Sequence, residues 1–132
     1  MDNESIMMLI ERAKLSAEHA YVPYSSYPVG ACVLTKDGII FGGCNIENSS
    51  FGASSDAGSV AILKAVSEGH PEIEALALYY NGIDLPYPTG ECRQMLQEFS
   101  KSATIIVANK YSHESYRMNE IMPFPFVPTE IV

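Results

Sequence analysis

A tight turn between two apolar runs constrains the fold of this chain more than any other sequence feature. The runs Val29 to Thr35 and Ile39 to Asn45 are rich in apolar and β-favouring residues, and Lys36, Asp37 and Gly38 lie between them. An Asp-Gly step supplies the positive-φ residues that a tight hairpin needs. The sequence therefore predicts that its first two strands pair antiparallel through this turn.

Helical patterns lie on both sides of this hairpin. Apolar residues recur three and four positions apart from Asn3 to Tyr21, where Asn3 and Ser5 are candidate N-caps and Pro23 ends the pattern. A polar loop follows the hairpin, and a second helical pattern begins near Ala57 and stops at Gly69. The hairpin is therefore expected to have a helix before it and a helix after it.

The second half of the chain continues the alternation. The patterns predict a buried strand over Ile73 to Tyr80 and a loop over residues 81–88. They then predict a helix over Thr89 to Phe99 and another strand over Thr104 to Ala108. Alternating strands and helices predict an α/β layered architecture. The length of 132 residues suits one compact domain, so residues 1–132 are expected to form a single domain.

The end of the chain follows a different pattern. Three prolines interrupt residues 122–132, which rules out a regular helix and predicts an extended apolar tail. Phe124, Phe126 and Val127 in this tail need a surface against which to be buried, and a neighbouring subunit is the expected one.

Composition excludes some classes of partner. The chain has 16 acidic and 8 basic side chains, and the resulting net charge of -8 repels nucleic acid. No apolar run approaches the roughly 20 residues that cross a membrane. The cysteines number three, which is unlike a disulfide framework. These features predict free thiols in a reducing compartment, the cytoplasm, and no nucleic-acid or membrane partner.

Several strings of residues strongly resemble the short-chain, homotetrameric cytidine deaminase family. In chain order they are Tyr21 to Gly30 (YVPYSSYPVG), Gly42 to Asn48 (GGCNIEN), Ala61 to Gly69 (AILKAVSEG), Gly90 with Cys92 to Gln94, and Met122 to Phe126 (MPFPF). The resemblance implies a three-layer α/β/α domain around a mixed, roughly five-stranded sheet. It also implies a homotetramer and a pocket for a pyrimidine nucleoside as a small-molecule ligand.

The resemblance assigns substrate-binding roles to five residues. Asn45 and Glu47 match the family residues that hold the ribose hydroxyls, which an amide and a carboxylate can both bind. Tyr27 matches an aromatic residue near the substrate, and Phe124 or Phe126 matches the phenylalanine that a neighbouring subunit contributes to the base pocket. The alternatives are solvated loop residues for Asn45 and Glu47, and core packing for the three aromatic side chains.

The family's zinc motifs are largely missing. The family has Cys-Ala-Glu-Arg and Pro-Cys-x-x-Cys, which give three thiolates and a proton-shuttling glutamate. The first motif reads Asp-Ala-Gly-Ser from Asp56, and the second reads Pro-Thr-Gly-Glu-Cys up to Cys92. Cys92 is the remaining thiol, Thr89 is a poor ligand, and Gly58 replaces the glutamate. We therefore expect no metal and no zinc-dependent deamination; zinc is the expected cofactor if the degenerate site still binds one.

Structural explanations compete with metal binding at these positions. Asp56 and Thr89 are each expected to begin a helix, and both are good N-caps. Cys92 is expected to be a buried thiol, and Cys32 and Cys44 packing residues.

Three functions remain open from the sequence. The leading one is a protein that binds a pyrimidine nucleoside or a related small heterocycle and has lost zinc-dependent deamination. The second is a metal-free hydrolase that uses Asp56 and Glu91 as a carboxylate pair, for deamination or for N-glycosidic cleavage. Glu91 alternatively stabilises the start of its helix as a first-turn acid. The third is a non-catalytic assembly partner.

Overall fold

The structure of the protein is a computed structural model that describes residues 1–100 and 102–128. It has five strands, four α-helices and a short 3-10 turn over Phe51–Ala53 within these ranges. The elements are α1 (Asn3–Ala17), β1 (Val29–Thr35), β2 (Ile40–Cys44), α2 (Ala57–Ser67), β3 (Ile73–Tyr80), α3 (Gly90–Phe99), β4 (Thr104–Ala108), β5 (His113–Arg117) and α4 (Met118–Ile121).

The strands form one mixed sheet in the order β2-β1-β3-β4-β5. The predicted hairpin is present, because β1 and β2 pair antiparallel and Gly38 turns the chain with a φ of +87°. Strand β3 pairs antiparallel with β1 and parallel with β4, and β5 pairs antiparallel with β4. The α/β architecture and the five-stranded mixed sheet expected from the sequence are therefore confirmed.

Helices cover both faces of the sheet and make three layers. One face packs against α1, through Leu9, Ile10, Ala13, Cys32, Tyr79 and Ile106. The opposite face packs against α2 and α3, through Val33, Ala61, Ile62, Leu76, Cys92 and Leu96. Helices α2 and α3 share a face, and their first residues lie side by side, since Thr89 bonds to Asp56. The candidate site is found there, at one end of the strands of the sheet.

The first helix differs from the prediction at both ends. Its N-cap is Asp2, whose carboxylate accepts a hydrogen bond of 2.8 Å from the backbone N–H of Ser5, so Asn3 and Ser5 are not the caps. It ends at Ala17 and not at Tyr21. Amphipathic spacing identified the buried face, but it does not mark a helix end to within a few residues.

Two elements after Asn109 were not predicted from residue patterns. Strand β5 is polar and mostly exposed, because it is an edge strand that lacks an apolar face. Helix α4 has four residues and is capped by a hydrogen bond from the Arg117 backbone N–H to Glu120. A segment with so little buried apolar surface gives no periodic signal for either element.

The tail beyond α4 leaves its aromatic side chains uncovered. Phe124 is 95% exposed and Phe126 is 67% exposed in the isolated chain. Residues 129–132 of the predicted tail lie outside the described residues. Within the described ranges, the helices are all too short or too polar to cross a membrane.

Candidate functional site

A cavity of about 430 Å³ opens at the edge of the sheet where α2 and α3 begin. The loop over residues 81–88 forms one wall, and the loop before β1 forms another. The lining residues are Tyr27, Val29, Asn45, Asp56, Ala57, Leu78, Leu85, Pro86, Tyr87, Pro88 and Thr89. The cavity is mostly apolar with a few polar groups, which is the usual composition of a small-molecule site.

Asp56 and Thr89 cap the two helices that meet at this cavity. Asp56 accepts a hydrogen bond of 3.0 Å from the backbone N–H of Ser59, and Thr89 accepts one of 3.0 Å from the backbone N–H of Cys92. Each cap satisfies a donor that the first turn of a helix leaves without an intrahelical partner. The predicted capping roles of both residues are confirmed.

The two caps are also joined to each other. The hydroxyl of Thr89 donates to Oδ2 of Asp56 at 3.0 Å, and the hydroxyl of Ser59 donates to the same oxygen at 2.8 Å. We call Asp56, Ser59 and Thr89 the helix clasp. Three protein donors therefore meet one carboxylate, and the clasp fixes the start of α2 against the start of α3.

Gly58 lies directly against the thiol of Cys92. A β-carbon built on Gly58 would lie 2.5 Å from the Sγ atom of Cys92 and 3.6 Å from Oδ1 of Asp56. Cys92 is fully buried, as the sequence predicted. Burial raises the pKa of its thiol far above the usual range, and the neighbouring Asp56 carboxylate raises that pKa further. The thiol is therefore protonated at neutral pH.

The donors at this position do not fit a zinc ion. Zinc requires deprotonated thiolates, imidazoles or free carboxylate oxygens. Cys92 is the one thiol at this position, the Thr89 hydroxyl is neutral and donates to Asp56, and the Asp56 carboxylate already accepts three hydrogen bonds. Within residues 1–100 and 102–128, no group of three or more His, Cys, Asp and Glu side chains is placed to hold a metal ion.

Asn45 links the end of β2 to the loop before β1. Its Oδ1 atom accepts a hydrogen bond of 2.9 Å from the Val29 backbone N–H, and its Nδ2 atom donates one of 2.8 Å to the Tyr27 carbonyl. The half-buried amide lines the cavity. One N–H of the amide group is left over for a ligand.

Glu47 holds the same loop from the other side. Its carboxylate accepts hydrogen bonds of 3.0 Å from the backbone N–H groups of Tyr24 and Ser25, and a short one from the Ser25 hydroxyl. These bonds, with the Ser25 hydroxyl first, lower the pKa of Glu47. Asn45 and Glu47 are therefore both engaged with the backbone of the loop that carries Tyr27, and are not simply solvated.

Tyr27 forms the aromatic wall of the cavity with a partner that sequence reasoning missed. Its ring stacks on Tyr80, with the ring centroids 3.8 Å apart and the planes 7° from parallel. Its hydroxyl donates to Asp84 at 3.4 Å. Burial and the charge of Asp84 both raise the pKa of Tyr27. An aromatic residue at the end of the predicted strand Ile73 to Tyr80 was the available signal for this stack.

Tyr87 is a second lining residue that the sequence prediction omitted. Its hydroxyl donates to Glu114 on β5 at 2.8 Å, and Glu114 also accepts a bond from Tyr116. A tyrosine next to Pro88, in the loop before a predicted helix, was the available sequence signal. The partner Glu114 could not have been inferred, because β5 itself was not predicted.

A polar cleft adjoins the cavity and contains the two candidate catalytic carboxylates. Its volume is about 430 Å³, and its lining residues are Asn45, Glu47, Ser54, Ser55, Asp56, Thr89 and Glu91. Glu91 is exposed in the first turn of α3. The structure thus brings Asp56 and Glu91 to one cleft, and Asn45 and Asp56 to both the cleft and the cavity.

Phe124 and Phe126 lie apart from this site within one chain, because neither lines the cavity or the cleft. The tail is attached to α3 through its backbone. Arg93 donates to the Ile121 carbonyl at 2.9 Å, and Gln94 donates to the Phe126 carbonyl at 3.3 Å. The aromatic side chains point away from these attachments and into solvent.

Comparison with known families gives a match over most of the chain. The profile of the family described as "Cytidine and deoxycytidylate deaminase zinc-binding region" matches residues 3–108. The cytidine deaminase of Sporosarcina psychrophila is 46% identical over 91 residues, which are 69% of this chain and 67% of that protein. The cytidine deaminase of Halalkalibacterium halodurans is 35% identical over 126 residues, which are 94% and 96% of the two chains.

Solved structures agree with these sequence matches. The crystal structure of the cytidine deaminase from Burkholderia pseudomallei superposes with a TM-score of 0.86 at 32% identity, covering 96% of this chain and 100% of that one. The cytidine deaminase from Mycobacterium tuberculosis gives a TM-score of 0.81 at 31% identity, covering 96% and 99%. Fold and sequence therefore lead to the same family.

Proposed function

The chain belongs to the cytidine and deoxycytidylate deaminase family, and on that premise we propose that it binds a pyrimidine nucleoside or a related small heterocycle without zinc-dependent deamination. The observation that carries the proposal is the helix clasp. Asp56 and Thr89 stand where the family resemblance places two zinc ligands, and here the Thr89 and Ser59 hydroxyls both donate to Asp56. The cavity beside them, with Tyr27 as its aromatic wall, is intact.

Loss of the family reaction follows from two missing functions. The reaction needs a hydroxide at neutral pH, which bound zinc supplies by lowering the pKa of water from 15.7 to about 7. It also needs a group that moves protons between water and base, commonly worth about 10²- to 10⁴-fold in rate. Gly58 has no side chain to move a proton, and the clasp leaves no donor set suited to the metal.

Retention of binding is supported by the loop that carries Tyr27. Asn45 and Glu47 fix this loop through five hydrogen bonds, so the aromatic wall is organised before a ligand enters. The remaining N–H of Asn45 and the carboxylate of Glu47, two residues that line the polar cleft, suit sugar hydroxyls, which both donate and accept. We assign the ribose to the polar cleft and the base to the cavity.

Calorimetry with cytidine and uridine tests this proposal. We expect saturable binding of at least one nucleoside and no release of ammonia over hours with excess cytidine. Metal analysis of protein purified without chelators is expected to find far less than one zinc per chain. Absence of nucleoside binding contradicts the first half of the proposal, and stoichiometric zinc with ammonia release contradicts the second.

A metal-free hydrolase is the second candidate, because Asp56 and Glu91 line one cleft. Two carboxylates in one cleft can act as an acid and a base, and N-glycosidic cleavage needs no metal. Chromatography of a nucleoside panel after long incubation detects a free base or a deaminated product. A product that disappears in Glu91→Gln supports this candidate; unchanged nucleosides throughout the panel remove it for those substrates.

Assembly is the last part of the proposal. We propose a homotetramer in the cytoplasm, in which residues 1–132 form one domain and the tail of each chain covers a neighbouring subunit. The exposed Phe124 and Phe126 support this arrangement, and the free thiols of the three cysteines suit a reducing compartment. Co-purification with an active family member would instead favour the role of a non-catalytic assembly partner.

A further inference from the structure

The polar side chains around the cavity are unusually one-sided. The hydroxyls of Tyr27, Tyr87 and Thr89 line it, and each already donates its proton to a carboxylate. The acceptors are Asp84 at 3.4 Å, Glu114 at 2.8 Å and Asp56 at 3.0 Å. A hydroxyl whose proton is engaged offers a ligand only its lone pairs. These three side chains therefore act towards the cavity as hydrogen-bond acceptors.

Asp56 adds a charged acceptor to the same wall. A carboxylate has about four lone-pair sites, and three protein donors bind this one. Its negative charge is not paired, because no lysine, arginine or histidine lines the cavity in the described parts of the chain. Arg93, the nearby cation on α3, binds the carbonyls of Pro88 and Ile121 instead.

Side-chain donors on the cavity wall are few by comparison, and the main-chain donors beside them are the N–H groups that begin α2 and α3. The side-chain donor is the remaining N–H of Asn45, and this amide is at the ribose end, where the cavity meets the polar cleft. The other walls, formed by Val29, Leu78, Leu85, Pro86 and Pro88, have apolar side chains. A ligand carbonyl that faces Asp56 would lose its water and meet another acceptor, which is costly in an apolar cavity.

We infer that Asp56 is a specificity-determining residue that selects heterocycles presenting amino or protonated ring-nitrogen donors, and rejects those presenting a carbonyl at the same edge. This inference rests on the proposed function, since it concerns the ligand of the same cavity.

The test compares ligands that differ by one amino-to-carbonyl exchange. Calorimetry gives the Kd for cytidine against uridine, for adenosine against inosine, and for the free bases cytosine against uracil. We expect the amino member of a binding pair to bind at least about tenfold tighter, because a site built for one hydrogen-bonding partner leaves polar groups unpaired with its analogue. Equal affinities, or tighter binding of the carbonyl member, overturn the inference and leave nucleoside binding standing.

Asp56→Asn is the decisive variant. Asparagine is as good an N-cap as aspartate, so α2 should keep its start, and thermal unfolding verifies this. Its amide offers the ligand a donor where the carboxylate offered only acceptors, so the amino preference should fall to about threefold or less. Glu98→Gln on α3 removes the same charge outside the cavity and should keep the wild-type preference. An unchanged preference in Asp56→Asn overturns the role of Asp56.

Failure of the proposed nucleoside binding gives a result that differs from failure of the amino preference. If the free base cytosine binds and uracil does not, while all four nucleosides fail to bind, the ribose assignment is wrong and the selectivity of the cavity stands. If none of the six compounds binds, both the proposed function and this inference are overturned.

Discussion

A β-carbon on Gly58 would stand 2.5 Å from the Sγ atom of Cys92, well inside the distance that β-carbons keep from other atoms in folded proteins. The thiol thus fills the space beside α2 into which a residue-58 side chain would extend. Gly58 and Cys92 are coupled, and the effect of changing one depends on the other.

Gly58→Ala is therefore expected to destabilise the protein by about 1–3 kcal/mol, the usual cost of overpacking a core. Urea unfolding measures the change. Gly90→Ala is the matched control, because a β-carbon there meets no atom within 4 Å. Cys92→Ala should remove the clash, so the double variant Gly58→Ala/Cys92→Ala should be more stable than the sum of its single changes indicates. Additive effects would contradict the coupling.

Loss of the Thr89 hydroxyl should loosen the helix clasp. Thr89→Val removes the cap of α3 and the donor to Asp56 together, and we expect it to cost about 1–2 kcal/mol of unfolding free energy. Thr89→Ser keeps a hydroxyl at the same position and should stay within about 0.5 kcal/mol of wild type. A loss in Thr89→Ser as large as that in Thr89→Val would contradict a dominant role for the hydroxyl.

Restoring the family motif should restore metal binding only when its parts return together. The triple variant Asp56→Cys/Gly58→Glu/Thr89→Cys supplies two thiols beside Cys92 and is expected to bind about one zinc per chain. Elemental analysis measures the metal. A chelator should lower the Tm of the metal-loaded triple variant and leave that of the wild type unchanged, because a metal stabilises only the folded state that binds it. A chelator-induced loss of stability in the wild type would contradict our assignment of the clasp.

Glu47 should make stability fall as the pH is lowered. Its folded-state pKa lies below the ordinary value, so its contribution is present above the unfolded pKa, about 4.3, and is lost as the pH falls through the folded value. Glu47→Gln does not titrate, so the stability difference between wild type and Glu47→Gln should shrink between pH 6 and pH 3. Urea unfolding across this range measures it. Ser25→Ala removes the largest cause of the lowered pKa of Glu47, so the stability contribution of Glu47 should be lost at a higher pH. A constant difference across the range would rule out Glu47 as a contributor.

The exposed tail should drive self-assembly. Phe124→Ser is expected to weaken the oligomer by an order of magnitude or more in dissociation constant, because a buried aromatic side chain is worth roughly 1.5–3 kcal/mol. Analytical ultracentrifugation over a concentration series measures it. Tyr111→Ser, which changes another highly exposed aromatic residue outside the tail, is the control and should not change the association. Equal effects from both changes would argue against a specific role for the tail.

The architecture was predictable where burial is regular. Strand β3 and the hairpin through Gly38 have strong apolar or turn patterns, and both were predicted within a residue or so of their observed bounds. Strand β5 was missed because its residues are polar and exposed, so its place depends on pairing with β4 and not on any local preference.

The site was predictable in its residues but not in its connections. The motifs led to the expectation that Asp56 and Thr89 are not metal ligands, and their residue types predicted their capacity to cap helices. Their bond to each other could not, because it joins side chains 33 positions apart in the chain. The same reason hid the Tyr27 bond to Asp84, on which the acceptor character of the cavity partly depends.

The helix clasp makes substitutions at positions 56, 58 and 89 depend on one another. Glutamate at position 58 would strike Cys92, and cysteine at position 89 would replace the hydroxyl that donates to Asp56. Cysteine at position 56 would take away the shared acceptor of the Ser59 and Thr89 hydroxyls. Each of these single substitutions is therefore expected to lower stability before any metal can compensate, so a zinc site could be built here only by changes that are made together.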